Sequence, residues 1–279
     1  MKLGFPFDLG QFQCVVIDDG VSDYTTADFL FSGAPEIGLH QQLKKHSLKT
    51  ERIECSNNCL IINTGSTLIL VDTGCGDSVI KPEGTQKTGR LLSKLQLLGF
   101  DPIDFDIVVL THHHYDHIGG CCNEKGHCNF PNARFFMSRA EWEYGVSQND
   151  LSKKMLMLIR NRLELLDRDT AIGEGIKAII TPGHSPGQIV LDVSSKDDRL
   201  LCCSDVLVHP IHAEFPDWTM SHEHDRDLSM VKRREILLRA SAKKMLIHAY
   251  HIKYPGLGYV VQKEHTFRWN PFTGEDLIS

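Results

Sequence analysis

Short runs of β-branched and apolar residues recur along the chain, each cut off by turn-forming residues. They predict strands over 12–17, 59–63, 67–71, 106–110 and 134–137 in the first half, and over 176–180, 188–193, 199–203, 244–247 and 259–262 in the second. A period near 3.6 replaces the period of two elsewhere. Leu91, Leu95 and Leu98 share one helical face, with Gly99 placed as a stop. A second helix is expected over 151–166, where Leu151, Met155, Leu158, Ile159, Leu163 and Leu166 line up, and a third from Asp225 towards Ala240. Strands precede helices in both halves, which predicts an α/β class with helices covering sheets. No Pro/Gly/Ser-rich linker, low-complexity segment or short repeat divides the chain, so 1–279 reads as a single domain.

Composition narrows the classes. With 279 residues, 41% of them hydrophobic and 24% charged, the chain is an ordinary globular one with material for a sizeable core. Its net charge of −6 and the lack of a basic arm disfavour a nucleic-acid partner. No apolar run approaches the roughly 18 residues of a membrane span, and residues 1–8 lack the apolar core of a secretory signal. The cysteines number nine, an odd count; the adjacent pairs Cys121-Cys122 and Cys202-Cys203 suit disulfide geometry poorly, and there is no Cys-x-x-Cys. Reduced thiols and a cytoplasmic location are expected.

The chemistry is expected at Thr111-His112-His113-His114-Tyr115-Asp116-His117-Ile118-Gly119-Gly120, directly after the strand at 106–110. So many imidazoles and a carboxylate would be costly as buried structure without polar partners. At a strand's end they can converge on a metal, zinc first, with iron, manganese or cobalt as further fits. A solvated histidine-rich loop is the bland alternative. His112 and His114 can reach one ion from an extended loop, and Asp116 and His117 can turn towards a second. His184, in Thr181-Pro182-Gly183-His184-Ser185-Pro186-Gly187, and Asp205, in Cys203-Ser204-Asp205, follow apolar strands, where site residues gather.

The His112-x-His114-x-Asp116-His117 pattern resembles the signature of the metallo-β-lactamase-fold hydrolases, and further matches cover nearly the whole chain. Val71-Asp72-Thr73-Gly74 resembles the family's early strand-ending turn, and the His184 and Asp205 segments resemble its later ligand segments. The late Tyr250-His251-Ile252-Lys253-Tyr254-Pro255-Gly256-Leu257-Gly258 is similar to a pattern of the branch that holds N-acyl-homoserine-lactone lactonases and methyl parathion hydrolase. The opening stretch ending in Asp18-Asp19-Gly20 resembles the same branch. The resemblance implies a four-layer αβ/βα sandwich with two divalent metal ions. His112, His114 and His184 would hold one ion and Asp116, His117 and His251 the other. Asp205 would bridge them beside a water-derived hydroxide that attacks the substrate. Asp116 and Asp205 would then be the catalytic carboxylates, Asp116 by accepting or relaying a proton. His251 is preferred over His248 as the late ligand because of the Tyr-Pro-Gly-Leu-Gly that follows.

The implied activity is opening of the ring of N-acyl-homoserine lactones, that is, quorum quenching, on a small acyl lactone or ester. An organophosphate triesterase or arylesterase is the rival, and a thioester hydrolase like glyoxalase II a weaker one. A non-catalytic metal protein or flavodiiron-like redox module is the alternative from another class; such a module carries a glutamate in the histidine motif, and residues 111–120 contain none. A homodimer is expected from the branch. Val208 stands roughly where many lactonases of the family carry a tyrosine. His209, Phe215 and Trp218 are expected to wall a substrate pocket. His222 and His224 read as residues of an irregular surface loop, and Lys232-Arg233-Arg234 as a solvated helix face. Asp72 is expected under the metals, bonding turn amides or a ligand histidine. Cys75 reads as a small turn residue, and Met155, Met157 and Phe135-Phe136 as core.

Overall fold

The computed structural model describes residues 3–77 and 87–274. Two seven-stranded sheets lie face to face. The first runs in chain order through β1 (Phe5–Leu9), β2 (Phe12–Thr25), β3 (Ile53–Asn63), β4 (Leu68–Val71), β5 (Ile107–Val109), β6 (Arg134–Ser138) and β7 (Leu163–Leu166). The second contains β8 (Thr170–Gly173), β9 (Ile176–Ile180), β10 (Ile189–Ser195), β11 (Asp198–Cys202), β12 (Leu246–His248), β13 (Leu257–Lys263) and β14 (Thr266–Pro271), again as neighbours in order. The helices are α1 (Ala27–Leu30), α2 (Glu36–Lys45), α3 (Leu91–Leu97), α4 (Tyr115–Ile118), α5 (Arg139–Ser147), α6 (Leu151–Ile159), α7 (Pro210–Glu214) and α8 (Arg226–Ala242).

Side-chain alternation builds the layers. Ile69, Val71, Ile107, Val109 and Phe136 point between the sheets and meet Ile189, Leu191, Val193 and Leu200 from the other side. Their neighbours Leu70, Val108, Leu110, Phe135 and Met137 point outwards, onto Leu91, Leu95, Leu156 and Ile159 of α3 and α6. On the far face Leu201, Cys203 and Ile247 pack on Ile236, Leu237 and Ala240 of α8. The expected αβ/βα sandwich is the observed one. β4, β5 and β6 run parallel, as do β11 and β12, so two groups of carboxyl-terminal strand ends come to one edge of the sandwich.

The expected helix over 151–166 is shorter. It ends at Ile159, and after a tight turn at Arg160–Arg162 the chain pairs parallel to β6 as β7. Leucines at a helical spacing also suit a strand, and pairing with the open edge of β6 wins. Met157 faces outwards with 39% of its surface exposed, and Leu158 with 41%, so neither is core. Met155 and Phe135-Phe136 are buried as expected. The helix after Asp225 is capped by that side chain, which accepts the Leu228 amide at 3.0 Å. No helix among the described residues is long and apolar enough to cross a membrane.

Candidate metal centre

The end of β4 begins the site. Asp72, with a φ of 59°, turns its carboxylate back under the next strand end. Its Oδ1 accepts the Thr111 amide at 2.8 Å, and its Oδ2 accepts the Thr111 hydroxyl at 2.9 Å and His117 Nδ1 at 2.8 Å. The bond to Nδ1 fixes the tautomer and turns Nε2 of His117 towards the site. The motif then winds one helical turn, α4, which places Asp116 and His117 side by side. Thr73 donates its amide and hydroxyl to His117 O, at 2.7 and 3.0 Å. Tyr250 donates its hydroxyl to Asp116 O at 2.6 Å. On the other sheet, Asp205 follows β11 in a short turn and His251 follows β12, its Nδ1 donating to Ser56 O at 3.0 Å.

These segments bring together every residue expected to be a ligand. His112, His114, His184 and Asp205 form one group of potential ligand atoms within 4.8 Å of one another, and Asp116, His117 and His251 form a second. His112 Nε2 and His184 Nε2 lie 2.9 and 3.1 Å from His114 Nδ1. Asp205 stands between the groups: its Oδ2 is 3.3 Å from His184 Nε2 and 3.3 Å from His251 Nε2, and its Oδ1 is 3.3 Å from His117 Nε2. His248, the last residue of β12, is buried and belongs to neither group.

The electrostatics suit cations. Burial, and then the neighbouring imidazoles, hold His112 and His114 well below the ordinary histidine range, so their lone pairs are free to ligate. Burial alone would raise Asp205, but His251, His117, His184 and His112 around it keep it ionised. Asp116 Oδ2, His117 Nε2 and Asp205 Oδ1 are buried and accept or donate no hydrogen bond among the described residues. Buried polar atoms are rarely left so. Imidazole nitrogens and carboxylate oxygens that converge without other partners fit divalent ions of the zinc type.

A layer behind these residues holds them in place, and much of it was missed in the sequence. Glu141 of α5 is fully buried and accepts the His113 amide at 3.0 Å, the Ser185 hydroxyl at 2.8 Å and the Gly187 amide at 2.8 Å, and it also bonds His113 Nδ1. It thereby ties the histidine motif to the His184 segment. Glu223 Oε2 lies 3.6 Å from His184 Nδ1, and both atoms are buried with no hydrogen-bond partner among the described residues. Burial would raise Glu223, but the His184 imidazole and Arg233 hold it down at about 2. Arg233 is wholly buried, which corrects the solvated reading of Lys232-Arg233-Arg234. Helical phase could have revealed it, because Ser229, Arg233, Ile236, Leu237 and Ala240 share the buried stripe of α8. Glu223 had no such signal, its partners being distant in sequence.

A cavity opens over Asp116, Asp205 and His251. Phe29, Leu30, Val208 and Met220 form its apolar wall, with Thr25, Cys55 and His222 beside them. His209, Phe215 and Trp218 do not line it. His209 caps α7, its Nδ1 accepting the Ile211 amide at 3.2 Å. Phe215 and Trp218 stack on each other, 4.2 Å between ring centroids, in a cluster behind the wall. His222 instead reaches the cavity: its ring stacks on Phe29 at 4.6 Å and meets His184 edge-on at 5.0 Å. His222 and His224 are both exposed residues of an irregular loop, as expected, and His224 lies against Tyr144. Cys75 sits in a turn, as expected, and is buried there.

The chain matches the model of the metallo-beta-lactamase superfamily over residues 52–247, and it belongs to that superfamily. Among curated relatives, an N-acyl homoserine lactonase of Bacillus thuringiensis is 28% identical over 152 residues, 50% of this chain and 58% of that protein. The chain thus spans little more than half the length of that relative. AttM, an N-acyl homoserine lactonase of Agrobacterium fabrum, is 33% identical over 107 residues, 34% of this chain and 38% of the other. Among solved structures, AidC, a dizinc quorum-quenching lactonase in complex with a product, N-hexanoyl-L-homoserine, superposes with a TM-score of 0.89, 26% identity and 97% coverage of both chains.

Proposed function

We propose that this protein is a dinuclear-metal hydrolase that opens the ring of N-acyl homoserine lactones. One observation carries the reading: two donor groups, with the buried Asp205 of the first 3.3 Å from His117 and His251 of the second, lie at the floor of a cavity with an apolar wall. His112, His114 and His184 would hold one ion, Asp116, His117 and His251 the other, and Asp205 would serve both. Zinc is the proposed metal because imidazole dominates the donor set. When bound, such ions supply a water activated near neutral pH and polarise a carbonyl oxygen.

The chain's own residues do the rest. Asp205 keeps negative charge between the two sites, and Asp72 and Glu223 orient His117 and His184 so that their Nε2 atoms face inwards. Asp116 offers a carboxylate oxygen at the cavity floor for proton relay. Phe29, Leu30, Val208 and Met220 exclude water above the reacting carbonyl and give an acyl tail an apolar surface. Likeness to lactonases, one of them solved with an acyl-homoserine product, supports this substrate class. The whole chain is taken as one hydrolase domain. A cytoplasmic location is proposed from its nine cysteines, which form no disulfide among the described residues, and a homodimer from the branch resemblance alone.

The test is to incubate metal-loaded protein with a series of acyl homoserine lactones and, separately, with paraoxon, following proton release and product mass. Lactone opening that is lost in Asp205→Asn, and only partly restored by added metal, is the expected result. Fast paraoxon hydrolysis without lactone opening would replace this reading with the organophosphate one.

A further inference from the structure

Cys122 and Cys128 face each other across an isolated antiparallel bridge, at the base of the turn that follows the Gly119-Gly120 loop. Two hydrogen bonds flank the pair: Asn123 N to His127 O and Asn129 N to Cys121 O, both at 2.9 Å. Backbone bonds on either side, with no backbone bond between the paired residues themselves, define the non-hydrogen-bonded type of antiparallel pair. In that type the Cα atoms approach to about 4.5 Å and the side chains are closest. A disulfide spans Cα separations of about 4.4–6.8 Å. Both residues are free thiols here, Cys122 buried and Cys128 partly exposed. The Asn123 side chain holds the turn by accepting the Lys125 and His127 amides at 3.0 and 3.1 Å.

We propose that Cys122 and Cys128 are a redox-modification site that closes to a disulfide with a small-molecule disulfide such as oxidised glutathione. The Cys128 thiolate attacks one glutathione sulfur, forming a mixed disulfide and releasing one glutathione thiolate. Cys122 gives its proton to solvent and attacks the Cys128 sulfur, releasing the second. Two protein thiols are oxidised and one glutathione disulfide is reduced to two thiols. The order follows from the surroundings. The Cys122 thiol bonded to its sulfur holds Cys128 down at about 7, with help from the Phe130 amide and Arg162. The other thiols differ. Cys202 and Cys203 point to opposite faces of their sheet, and burial pushes Cys203, like Cys14 and Cys55, up to about 12. The bridge would tie down the segment after the histidine motif, where Cys121 Sγ lies 3.5 Å from the Thr73 hydroxyl that donates to His117 O.

The experiment exposes the full chain to graded ratios of oxidised to reduced glutathione, then quenches, alkylates after unfolding, and digests with trypsin, which cuts after Lys125. The expected result is an intact alkylated protein that carries two fewer alkyl groups than the reduced one, with the Cys122 and Cys128 fragments recovered as one species until a reductant separates them. Cys122→Ser should instead accumulate glutathione on Cys128, and Cys121→Ser should still close. Free alkylation of both cysteines at every ratio overturns the proposal, as does closure that survives Cys122→Ser or Cys128→Ser. Because the wild-type fragments alone decide between bridge and no bridge, a variant that fails to fold leaves the test intact.

Discussion

Arg233 Nη2 donates to Glu223 Oε1 at 2.9 Å, and both side chains are completely buried. Three more donors of the guanidinium go to the carbonyls of Val206, Pro216 and Trp218, at 2.8, 2.9 and 3.0 Å, and Nη2 also donates to the Ser229 hydroxyl at 3.5 Å. One arginine thus fixes the residue after Asp205, the chain beside the cavity wall and the carboxylate that faces His184. Losing either charge has a different consequence. Arg233→Met leaves Glu223 as an uncompensated buried anion and should lower folding stability by about 3–5 kcal/mol, read by urea unfolding. Glu223→Gln keeps the shape and removes the charge facing His184 Nδ1. It should weaken metal retention about 10–100-fold, read by chelator competition. Unchanged retention would leave Glu223 with a packing role only.

Metal occupancy separates the two late histidines. His251 Nε2 lies 3.4 Å from Asp116 Oδ2 and 3.3 Å from Asp205 Oδ2, whereas His248 is buried at the end of β12 and belongs to neither donor group. Elemental analysis should give close to two ions per chain in the wild type and about one in His251→Ala. His248→Ala should keep both. Loss of the second ion from His248→Ala alone would reverse the assignment.

The parts that sequence pattern left unread share a physical cause. The strands it missed, β1, β7, β8 and β14, are the edges of the two sheets. An edge strand is covered on one side only, so short or half-polar runs such as Phe5-Pro6-Phe7-Asp8-Leu9 suffice, and proline is tolerated there. Inner strands need continuous apolar runs and were legible to within a few residues at most ends. Within the site, the potential metal ligands stood out because imidazole clusters have few other uses. The cavity wall did not, because Phe29, Leu30 and Met220 look like any apolar residues until the fold brings α1 and the segment after α7 over Asp205. His222 was hidden for the same reason.

Chain-length preference should map to that wall. Phe29→Ala or Met220→Ala removes apolar surface beside the reacting centre and should flatten the gain in kcat/KM with acyl length. The gain in the wild type is bounded at roughly 0.8 kcal/mol per buried CH₂. Trp218→Ala, behind the wall, should instead cost about 3–5 kcal/mol of stability and leave the preference in place. A lost preference in Trp218→Ala, with Phe29→Ala unaffected, would return the pocket to the Phe215 and Trp218 side.

Acid sensitivity should be traceable in part to His209. Burial, and then the neighbouring His46, push this imidazole down to about 3 from an ordinary 6.5. Its Nδ1 must stay unprotonated to accept the Ile211 amide at the start of α7, and its ring packs on Phe31 and His46. Between those two values the unfolded chain binds a proton at this position and the folded chain does not, so stability rises with pH across that interval. The contribution is complete above pH 6.5 and is lost progressively as pH falls towards 3. Other histidines and the potential metal ligands titrate over the same range, so the comparison must be between proteins at equal metal content. His209→Asn retains an oxygen that can cap α7 but cannot take up the proton. Urea midpoints measured at about pH 7 and about pH 5, on either side of the unperturbed histidine pKa and above most carboxylate titration, should differ less in the variant than in the wild type. Equal differences would show that His209 is protonated alike in the folded and unfolded chains, and that its burial does not shape the acid limb.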